Sequence, residues 1–572
     1  MKSLLLGHDH ADRPVELTPA ERSAHMHVIG ASGSGKSKFL EQMIRQDLHN
    51  RQGFCIIDPH GSLYQSVLDY AGFRAIRHEI VLLDLSNPEF VIGFNPFRKA
   101  PIGDISVQVD SRVRAVMHAW GVENADQTPT LERTLRLIFT ALLELNLSFQ
   151  EAQYFIDFTA GDLRSSFIDQ LSSPLIRREW QELQELKAKE WRSELLSAKN
   201  RLFRLLTSKA LNRFFSTQGT SIDLAEIVEK GKVLLVNLAR SDSFSQDNGR
   251  VFGSLLVNEF FEVALRRNAS DPRLKPYYLY LDEFQKFVGL DIADMLDQIR
   301  KYKLFTVLAH QRFGQIDDNL RDAVLTNCRT KAVFGGLQVD AAKMMALEMC
   351  IGQIDPMREK VSIYQTKFWP EYTRDKVYST STSSGRSIGT GQNRSAGISS
   401  SSSAGTFYGP SEWAFGGPEL HGTSESTGLS HSSQSGEHSN ETDFDGTADS
   451  ESDVPMLMPR PFQELSSIQF MSIEEQTLQL TTAIKEQLSR QCFVKIHHQA
   501  PRQITVPIVK ERKTLKSSLE WYRLKTLERG GALSAHEVDK ANEEVHRRWE
   551  DQLGRRTPKP DESEVPEFLG RE

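Results

Sequence analysis

A glycine-rich segment near the amino end of this 572-residue chain combines residue types that can bind phosphate. It reads Gly30, Ala31, Ser32, Gly33, Ser34, Gly35, Lys36, Ser37, Lys38. Glycines let backbone N–H groups surround an anion, and a lysine and a hydroxyl at the end of such a loop can reach nucleotide phosphates and Mg²⁺. The motif requires a strand before it and a helix after it, and residues 26–29 and 38–44 have those patterns. The sequence therefore predicts that Lys36 binds the β- and γ-phosphates of ATP and that Ser37 binds Mg²⁺.

Two adjacent carboxylates end a strongly apolar run. Residues 277–283 read YYLYLDE, with Asp282 and Glu283 last. One carboxylate at the end of a buried strand can hold Mg²⁺, and its neighbour can orient and deprotonate an attacking water. Such a run alone also fits a strand that ends in a solvated turn. Together with the glycine-rich loop, the pair favours nucleotide hydrolysis, with Asp282 as metal ligand and Glu283 as general base.

A third apolar run, residues 304–310, is followed by Gln311. Because α/β sheets bind ligands at the carboxyl ends of their strands, this amide is a candidate sensor of the γ-phosphate. A buried amide that hydrogen-bonds a loop is the alternative, and spacing alone favours it.

The elements that must position these residues alternate along the chain. Short β-rich runs occur at 26–29, 54–58, 80–85, 233–238, 277–281, 305–308 and 332–334, with helical stretches between them. This alternation is typical of a doubly wound, mainly parallel α/β sheet. Between residues 104 and 218 apolar residues recur three or four apart, which predicts an all-helical domain inserted into the sheet domain.

From Tyr378 to Ser452 the composition shifts to Ser, Gly and Thr with scattered aromatics. Such a segment lacks the apolar surface that offsets the entropy of ordering, so we expect a disordered insertion. Apolar strand-like segments return at 492–496 and 506–509, and the insertion therefore interrupts a domain.

Overall charge does not decide whether the protein binds nucleic acid, whereas composition argues against membrane and secreted proteins. The net charge is −7, and seven acidic side chains lie within residues 437–453 without a Lys or Arg, so the remainder of the chain is balanced. No apolar run is long enough for a membrane helix, and the amino end is charged too early for a secretory signal. We therefore expect a cytoplasmic chain without direct membrane insertion. The four cysteines lie far apart and fit buried apolar positions better than a zinc site or disulfides.

A basic stretch without acidic residues lies near the end of the helical insertion. Its candidate phosphate-contacting residues are Lys199, Arg201, Arg204, Lys209 and Arg213. They could contact DNA without reading base sequence, and a solvated basic helix is the alternative. A second cluster, residues 510–525, is diluted by glutamates. No zinc finger, RRM motif or other sequence-reading module is recognised.

The ordered set of motifs resembles the HerA/FtsK superfamily of ring-forming DNA motors, and within it the TraD/TraG-type coupling ATPases of conjugation. The motifs are HMHVI with the glycine-rich loop, IDPHG at 57–61, KVLLVNL at 232–238, LYLDEFQ at 279–285 and TVLAHQ at 306–311. The similarity covers residues 20–370 and resumes at about 470–509.

The resemblance implies a RecA-like P-loop NTPase that forms a hexamer, with ATP sites between subunits and DNA in the central channel. It also implies an arginine given to the neighbouring site, and Arg300 is at the matching position. A solvated helical arginine is the alternative for Arg300. Coupling proteins usually begin with transmembrane helices, whereas 29 residues precede Gly30 here, so we expect any membrane recruitment to come from a partner protein.

These patterns divide the chain into segments of different expected structure. They are 1–24, a lead-in; 25–103, the first part of the nucleotide-binding domain; 104–218, the inserted all-α domain; 219–377, the second part of the nucleotide-binding domain; 378–454, the disordered insertion; 455–512, the return to the nucleotide-binding domain; and 513–572, a helical, charged appendage.

The leading interpretation is an ATP-hydrolysing DNA translocase in conjugative or mobile-element transfer, with a relaxase among its partners. One alternative is a soluble HerA-like ATPase that works with a nuclease in DNA end processing or antiphage defence, since the chain shows no nuclease constellation of its own. A third is a DNA-independent, ATP-driven platform for protein remodelling.

Overall fold

The structure, a computed structural model, describes residues 2–76, 78–99, 103–122, 128–216, 221–387, 396–406, 423–433, 442–510 and 515–556. Two compact units are present. The first comprises Met1–Asp355 and Ser472–Glu572, and the second comprises Pro356–Met471. The boundaries predicted at 377 and 455 therefore lie inside the second unit.

The strands follow the chain in this order. They are β1 (Leu4–His8), β2 (Pro14–Leu17), β3 (Met26–Ile29), β4 (Phe54–Asp58), β5 (Ile80–Asp84), β6 (Phe90–Val91), β7 (Val233–Asn237), β8 (Tyr277–Asp282), β9 (Leu304–His310), β10 (Thr330–Phe334), β11 (Glu359–Ser387), β12 (Ala396–Thr406), β13 (Thr423–Ser433), β14 (Thr442–Phe470), β15 (Gln491–Ile496), β16 (Arg502–Thr505) and β17 (Leu533–Ser534).

The helices are α1 (Lys36–Asn50), α2 (Ser62–Phe73), α3 (Ile105–Ala119), α4 (Pro129–Glu144), α5 (Ala152–Ile156), α6 (Gly161–Ile168), α7 (Pro174–Gln184), α8 (Ala188–Leu206), α9 (Lys209–Ser216), α10 (Leu224–Lys230), α11 (Gln246–Leu265), α12 (Leu290–Ile299), α13 (Asp318–Asn327), α14 (Val339–Cys350), α15 (Ile473–Lys485), α16 (Lys516–Arg529) and α17 (Ala535–Arg556). Across the ranges given above, no helix combines the length and the apolar composition needed to cross a bilayer.

One large sheet organises the first unit. Its strand order is β2-β1-β16-β15-β10-β3-β9-β8-β4-β7-β5. From β10 to β5 every neighbouring pair is parallel, whereas the pairs from β10 to β2 are antiparallel. The predicted fold class, a mainly parallel doubly wound α/β sheet, is confirmed.

The central parallel strands are buried on both faces, which explains their continuous apolar runs. Successive side chains enter different cores: Val28 and Ile56 pack in one cluster, and Ile29 and Ile57 pack in the other. The first core also contains side chains of α1 and α2, and the second contains side chains of α11. All four cysteines are buried and free, as the sequence predicts for core residues.

The helical insertion consists of α3 to α9, between β6 and β7. It packs around two fully buried tryptophans, Trp180 and Trp191. It is also tied to the sheet domain, because the buried Arg112 of α3 forms ion pairs with Glu259 and Glu262 of α11.

The second unit contains the Ser/Gly-rich insertion. Its described residues form two antiparallel ladders, β11 with β14 and β12 with β13. The sequence predicts a low-complexity, disordered insertion from 378 to 454. The residues that the structure describes within these bounds are extended and paired. Backbone pairing needs no apolar side chains, so a Ser/Thr/Gly composition is compatible with it.

The carboxyl-terminal appendage packs on the rest of the first unit. The Tyr522 hydroxyl of α16 donates to the carbonyl of Ile76, 2.9 Å away. Strand β17 pairs with β6, and Trp549 of α17 lies against Phe167 of the helical domain, 4.8 Å between ring centroids. The appendage thus connects the sheet domain with the helical insertion.

Candidate nucleotide site

The glycine-rich loop connects β3 directly to α1. Gly33 and Gly35 have φ values of 77° and 113°, in the region that favours glycine. Helix α1 begins at Lys36, so backbone N–H groups at its amino end face the loop. This is the arrangement that binds phosphate in P-loop proteins.

The loop is seated closely on two neighbouring segments. A Cβ on Gly30 would lie 2.4 Å from Cβ of Phe334, and one on Gly35 would lie 3.1 Å from the backbone nitrogen of Arg490. The same nitrogen donates to the Ser34 carbonyl, 2.9 Å away. The segment around Arg490 follows the insertion in sequence, and no motif there indicates that it supports this loop.

Lys36 is 6% exposed, and its ammonium donates to the carbonyl of Gly30 at 2.6 Å. Burial lowers the pKa of this lysine, while the charges of Glu283 and Asp282 act in the opposite direction. The predicted phosphate-binding lysine and the two predicted carboxylates are therefore neighbours.

Asp282 ends β8 and is almost fully buried. Burial raises its pKa to about 7, and the charges of Asp58 and Glu283 add to this effect, whereas Lys36 opposes it. Several carboxylates around one lysine leave negative charge that a divalent cation can balance. The hydroxyl of Ser37 and the Asp282 carboxylate are oxygen donors of the kind that Mg²⁺ prefers, so these residues fit Mg²⁺ with a nucleotide.

Asp58 appeared in the sequence only as part of the IDPHG motif, with no assigned role. It ends β4, and its carboxylate accepts from the backbone N–H groups of His60 (2.8 Å) and Tyr64 (2.9 Å) at the start of α2. Its charge reaches Asp282 because β4 and β8 are adjacent and parallel.

Glu283 follows β8 in a left-handed backbone conformation, with φ of 49°. A residue with a Cβ adopts this conformation at a cost, and such strain is frequent at functional sites. The Gln311 amide donates to Oε1 of Glu283 at 2.5 Å, and the Gln285 amide donates to Oε2 at 2.8 Å. The structure thus brings Gln311 to Glu283, and it adds Gln285, which the sequence showed only inside a motif.

Strand order explains why residues so distant in sequence meet. Strand β9 lies between β3 and β8, with Ile29 opposite His310 and Asp282 opposite Ala309. Parallel strands end at one edge of the sheet, and the loop, the carboxylates and Gln311 all follow these ends.

Arg300 lies at the opposite edge. It precedes β9, and Gln311 follows it, so the seven-residue strand separates them by roughly 23 Å. The guanidinium forms no ion pair with any described residue. His25 holds the adjoining part of α12, because its Nε2 lies 2.7 Å from the Leu296 carbonyl and its Nδ1 accepts the N–H of Thr306 at 3.0 Å.

The five predicted DNA-contacting residues lie on two helices, and two of them form ion pairs with acidic side chains. Lys199, Arg201 and Arg204 lie on α8, where Arg204 pairs with Asp247. Lys209 and Arg213 lie on α9. Arg213 forms a two-pronged ion pair with Asp539 of α17, with distances of 2.8 and 2.6 Å. The carboxyl-terminal appendage therefore neutralises one end of the basic stretch.

Comparison with known proteins agrees with this site. The family model for the central domain of the helicase HerA matches residues 6–259, and the model for the TraM recognition site of TraD and TraG matches residues 276–404. No curated protein sequence matches the chain.

One solved structure supports the fold, and a second is similar over a smaller part of the chain. The plasmid coupling protein TrwB in complex with the non-hydrolysable ATP analogue ADPNP is 14% identical, with a TM-score of 0.50 over 90% of this chain and 91% of that chain. VirB4 of Thermoanaerobacter pseudethanolicus is 13% identical, with a TM-score of 0.41 over 61% of this chain and 87% of that chain.

The loop geometry, the paired carboxylates and the two family models agree with one another. The chain is a P-loop ATPase that is similar to the central domain of HerA over residues 6–259 and to TraD and TraG over residues 276–404.

Proposed function

We propose that this protein hydrolyses ATP with Mg²⁺ and uses the cycle to move DNA, independently of base sequence, through a ring of identical subunits. The observation that carries the proposal is the meeting of Lys36, Asp282 and Glu283 at one edge of the sheet while Arg300 lies at the other edge. The HerA and TraD/TraG family models support the choice of a DNA motor.

Each residue of the site has a role in hydrolysis. The loop N–H groups and Lys36 bind the phosphates, and Ser37 and Asp282 hold Mg²⁺, which balances charge on the phosphate oxygens when bound. Glu283 orients the attacking water and accepts its proton. Gln311 contacts the γ-phosphate and also donates a hydrogen bond to Glu283. The position of the Glu283 carboxylate therefore depends on whether the γ-phosphate is present.

Arg300 acts in the site of a neighbouring subunit. A strand length of roughly 23 Å separates it from its own Gln311, which excludes it from the site of its own chain. An arginine from a neighbour can stabilise the charge of the transferring phosphoryl group. In this arrangement, hydrolysis requires that subunits assemble. The resemblance to HerA/FtsK motors implies a hexameric ring.

DNA contacts in this proposal come from basic residues of the helical insertion. Lys199, Arg201, Arg204 and Lys209 are the candidates, with Arg213 available only when its pair with Asp539 opens. Such contacts bind phosphates without reading bases. We propose that the protein acts in conjugative or mobile-element transfer of DNA, with a relaxase and a membrane-anchoring protein as partners. In the alternative, it acts with a nuclease in DNA end processing or antiphage defence.

The proposal is tested by the steady-state ATPase rate with and without single- and double-stranded DNA. We expect DNA to stimulate hydrolysis, and Glu283→Gln and Arg300→Ala each to lower the rate about 100-fold, since general-base and arginine contributions are at least this large. Glu185→Gln, at an exposed glutamate at the end of α7, is the matched control.

Mixing the two inactive variants separates the neighbouring-subunit role from a role within one chain. A site formed by an Arg300→Ala subunit and the intact Arg300 of a Glu283→Gln neighbour is complete, so the mixture should recover activity. Glu283-dependent hydrolysis that ignores both kinds of DNA would contradict the DNA motor and favour protein remodelling.

A further inference from the structure

The carboxylate of Glu283 is held by two amides that follow different strands. Gln311, after β9, donates to Oε1, and Gln285, two residues beyond Glu283 itself, donates to Oε2. Only Gln311 stands where a strand end delivers a residue toward the γ-phosphate. The two amides therefore cannot be equivalent during the reaction.

The orientation of Gln285 is fixed by its partners. Its Nε2 lies 2.8 Å from Oε2 of Glu283 and 3.1 Å from Oε1 of Gln315. An amide nitrogen has two N–H groups, and both face acceptors here. The reversed amide would place its oxygen against a carboxylate oxygen, so the nitrogen must face Glu283.

The loop that carries Gln285 is itself held in place. Phe287 lies against Gly253 of α11, where a Cβ would stand 2.3 Å from the ring, and Gly289 lies against His118 of α3, where a Cβ would stand 3.0 Å from Cγ of the imidazole. Backbone hydrogen bonds close the turn, from Lys286 to the Glu283 carbonyl (3.0 Å) and from Phe287 to the Phe284 carbonyl (2.9 Å). Gln285 is therefore anchored to a rigid part of the protein.

Gln285 and Gln315 also line a cleft of about 510 Å³ between the sheet domain and the helical insertion. Its opposite wall includes Ser111 and His118 of α3. Gly289 leaves no space for a Cβ against His118, so the loop that carries Gln285 is in close contact with α3.

We propose that Gln285 is a positioning residue for ATP hydrolysis. Its amide keeps its hydrogen bond to Oε2 of Glu283 when the amide of Gln311 turns from Oε1 to the γ-phosphate. This inference rests on the proposed function of Glu283 as general base. Without Gln285, the carboxylate is free to rotate at the moment when it must face the attacking water, and small misplacements of a reacting group lower the rate.

The test uses the full chain and three variants. Gln285→Leu removes both N–H donors and keeps the approximate size of the side chain, and Gln285→Glu places a second carboxylate beside Glu283. The control is Gln499→Leu, because the Gln499 amide also donates to a glutamate, Glu21, at 2.7 Å but lies between β15 and β16. Measurements are kcat and KM for ATP, together with thermal unfolding.

We expect Gln285→Leu to lower kcat about tenfold, with KM and the unfolding temperature unchanged, and Gln285→Glu to lower kcat further. In a Glu283→Gln background, Gln285→Leu should have no additional effect, because its action passes through that carboxylate. The inference is overturned if the kcat of Gln285→Leu equals or exceeds that of the parent. It is also overturned if Gln285→Leu lowers kcat by the same factor in the Glu283→Gln background as in the parent.

These outcomes are distinct from failure of the proposed function. If Glu283→Gln alone retains full hydrolysis, the assignment of the general base fails, and the inference about Gln285 fails with it. If Glu283→Gln abolishes hydrolysis and Gln285→Leu leaves kcat intact, only the inference fails.

Discussion

At the scale of single residues, Asp282 shows what the site costs the folded protein. Its pKa is raised from 3.8 to about 7 by burial and by the charges of Asp58 and Glu283. Between these two pH values the unfolded chain has released the Asp282 proton while the folded chain still holds it. The free energy of unfolding therefore falls as pH rises from about 4 through 7, and the ionised carboxylate is destabilising above that range.

Replacing Asp282 by Asn should stabilise the nucleotide-free protein at pH 8 and have little effect at pH 5. The gain at pH 8 is bounded at about 4 kcal/mol, the free-energy equivalent of this pKa difference. The same variant should lose Mg²⁺-dependent nucleotide binding. Thermal unfolding of parent and variant at pH 5 and pH 8 checks the expected stabilisation. An equal change in unfolding temperature at both pH values would show that the ionised carboxylate does not cause the stability difference.

The residues proposed to contact nucleotide could be located in the sequence because their motifs are local. Gly30 to Lys38 form one continuous segment, and Asp282 and Glu283 are adjacent. The supporting residues could not be predicted in the same way. Asp58 reaches Asp282 only because β4 and β8 pair, and Arg490 supports the loop from a segment that returns after the insertion.

At the scale of elements, the parallel strands are the most predictable part of the fold. All seven β-rich runs predicted before the insertion are strands, since a strand buried on both faces needs a continuous apolar sequence. Of the two strand-like segments predicted after the insertion, 492–496 lies in β15, whereas 506–509 is not a strand and follows β16. Strands β1 and β2, which lie in the predicted lead-in, were not foreseen, because their place at the sheet edge depends on a long-range antiparallel pairing of β1 with β16. The ladders of the insertion likewise depend on pairing that no local apolar pattern indicates.

The insertion should be dispensable for hydrolysis, because the strands and helices that hold the nucleotide site belong to the first unit. Val377 and Ser452 are opposite each other in the β11–β14 ladder, so the residues between them can be replaced by an Asn-Gly turn, which suits a two-residue hairpin. We expect this variant to fold and to keep the ATPase rate of the parent within about twofold, in line with the small effects of changes far from structural features. Loss of folding, seen as loss of a cooperative thermal transition, would show that the insertion stabilises the first unit.

At the scale of the whole molecule, the residues proposed to act in hydrolysis lie at opposite edges of the sheet of one chain. The phosphate loop and carboxylates occupy the carboxyl ends of the strands, and Arg300 precedes β9 at the other end. The carboxyl-terminal appendage connects the sheet domain with the helical insertion through Tyr522 and Trp549, and it also pairs with Arg213. In the proposed ring, nucleotide sites would lie between subunits, and basic residues of the helical insertions would contact the DNA phosphates.

We propose that ATP hydrolysis by this protein moves DNA, and one experiment examines the movement itself. This movement is tested most directly by ATP-driven displacement of streptavidin from the biotinylated end of single- or double-stranded DNA of arbitrary sequence. We expect displacement by the parent with Mg²⁺ and ATP on at least one kind of DNA, and none by Glu283→Gln. Vigorous ATP hydrolysis that leaves streptavidin in place on both kinds of DNA would contradict the proposal.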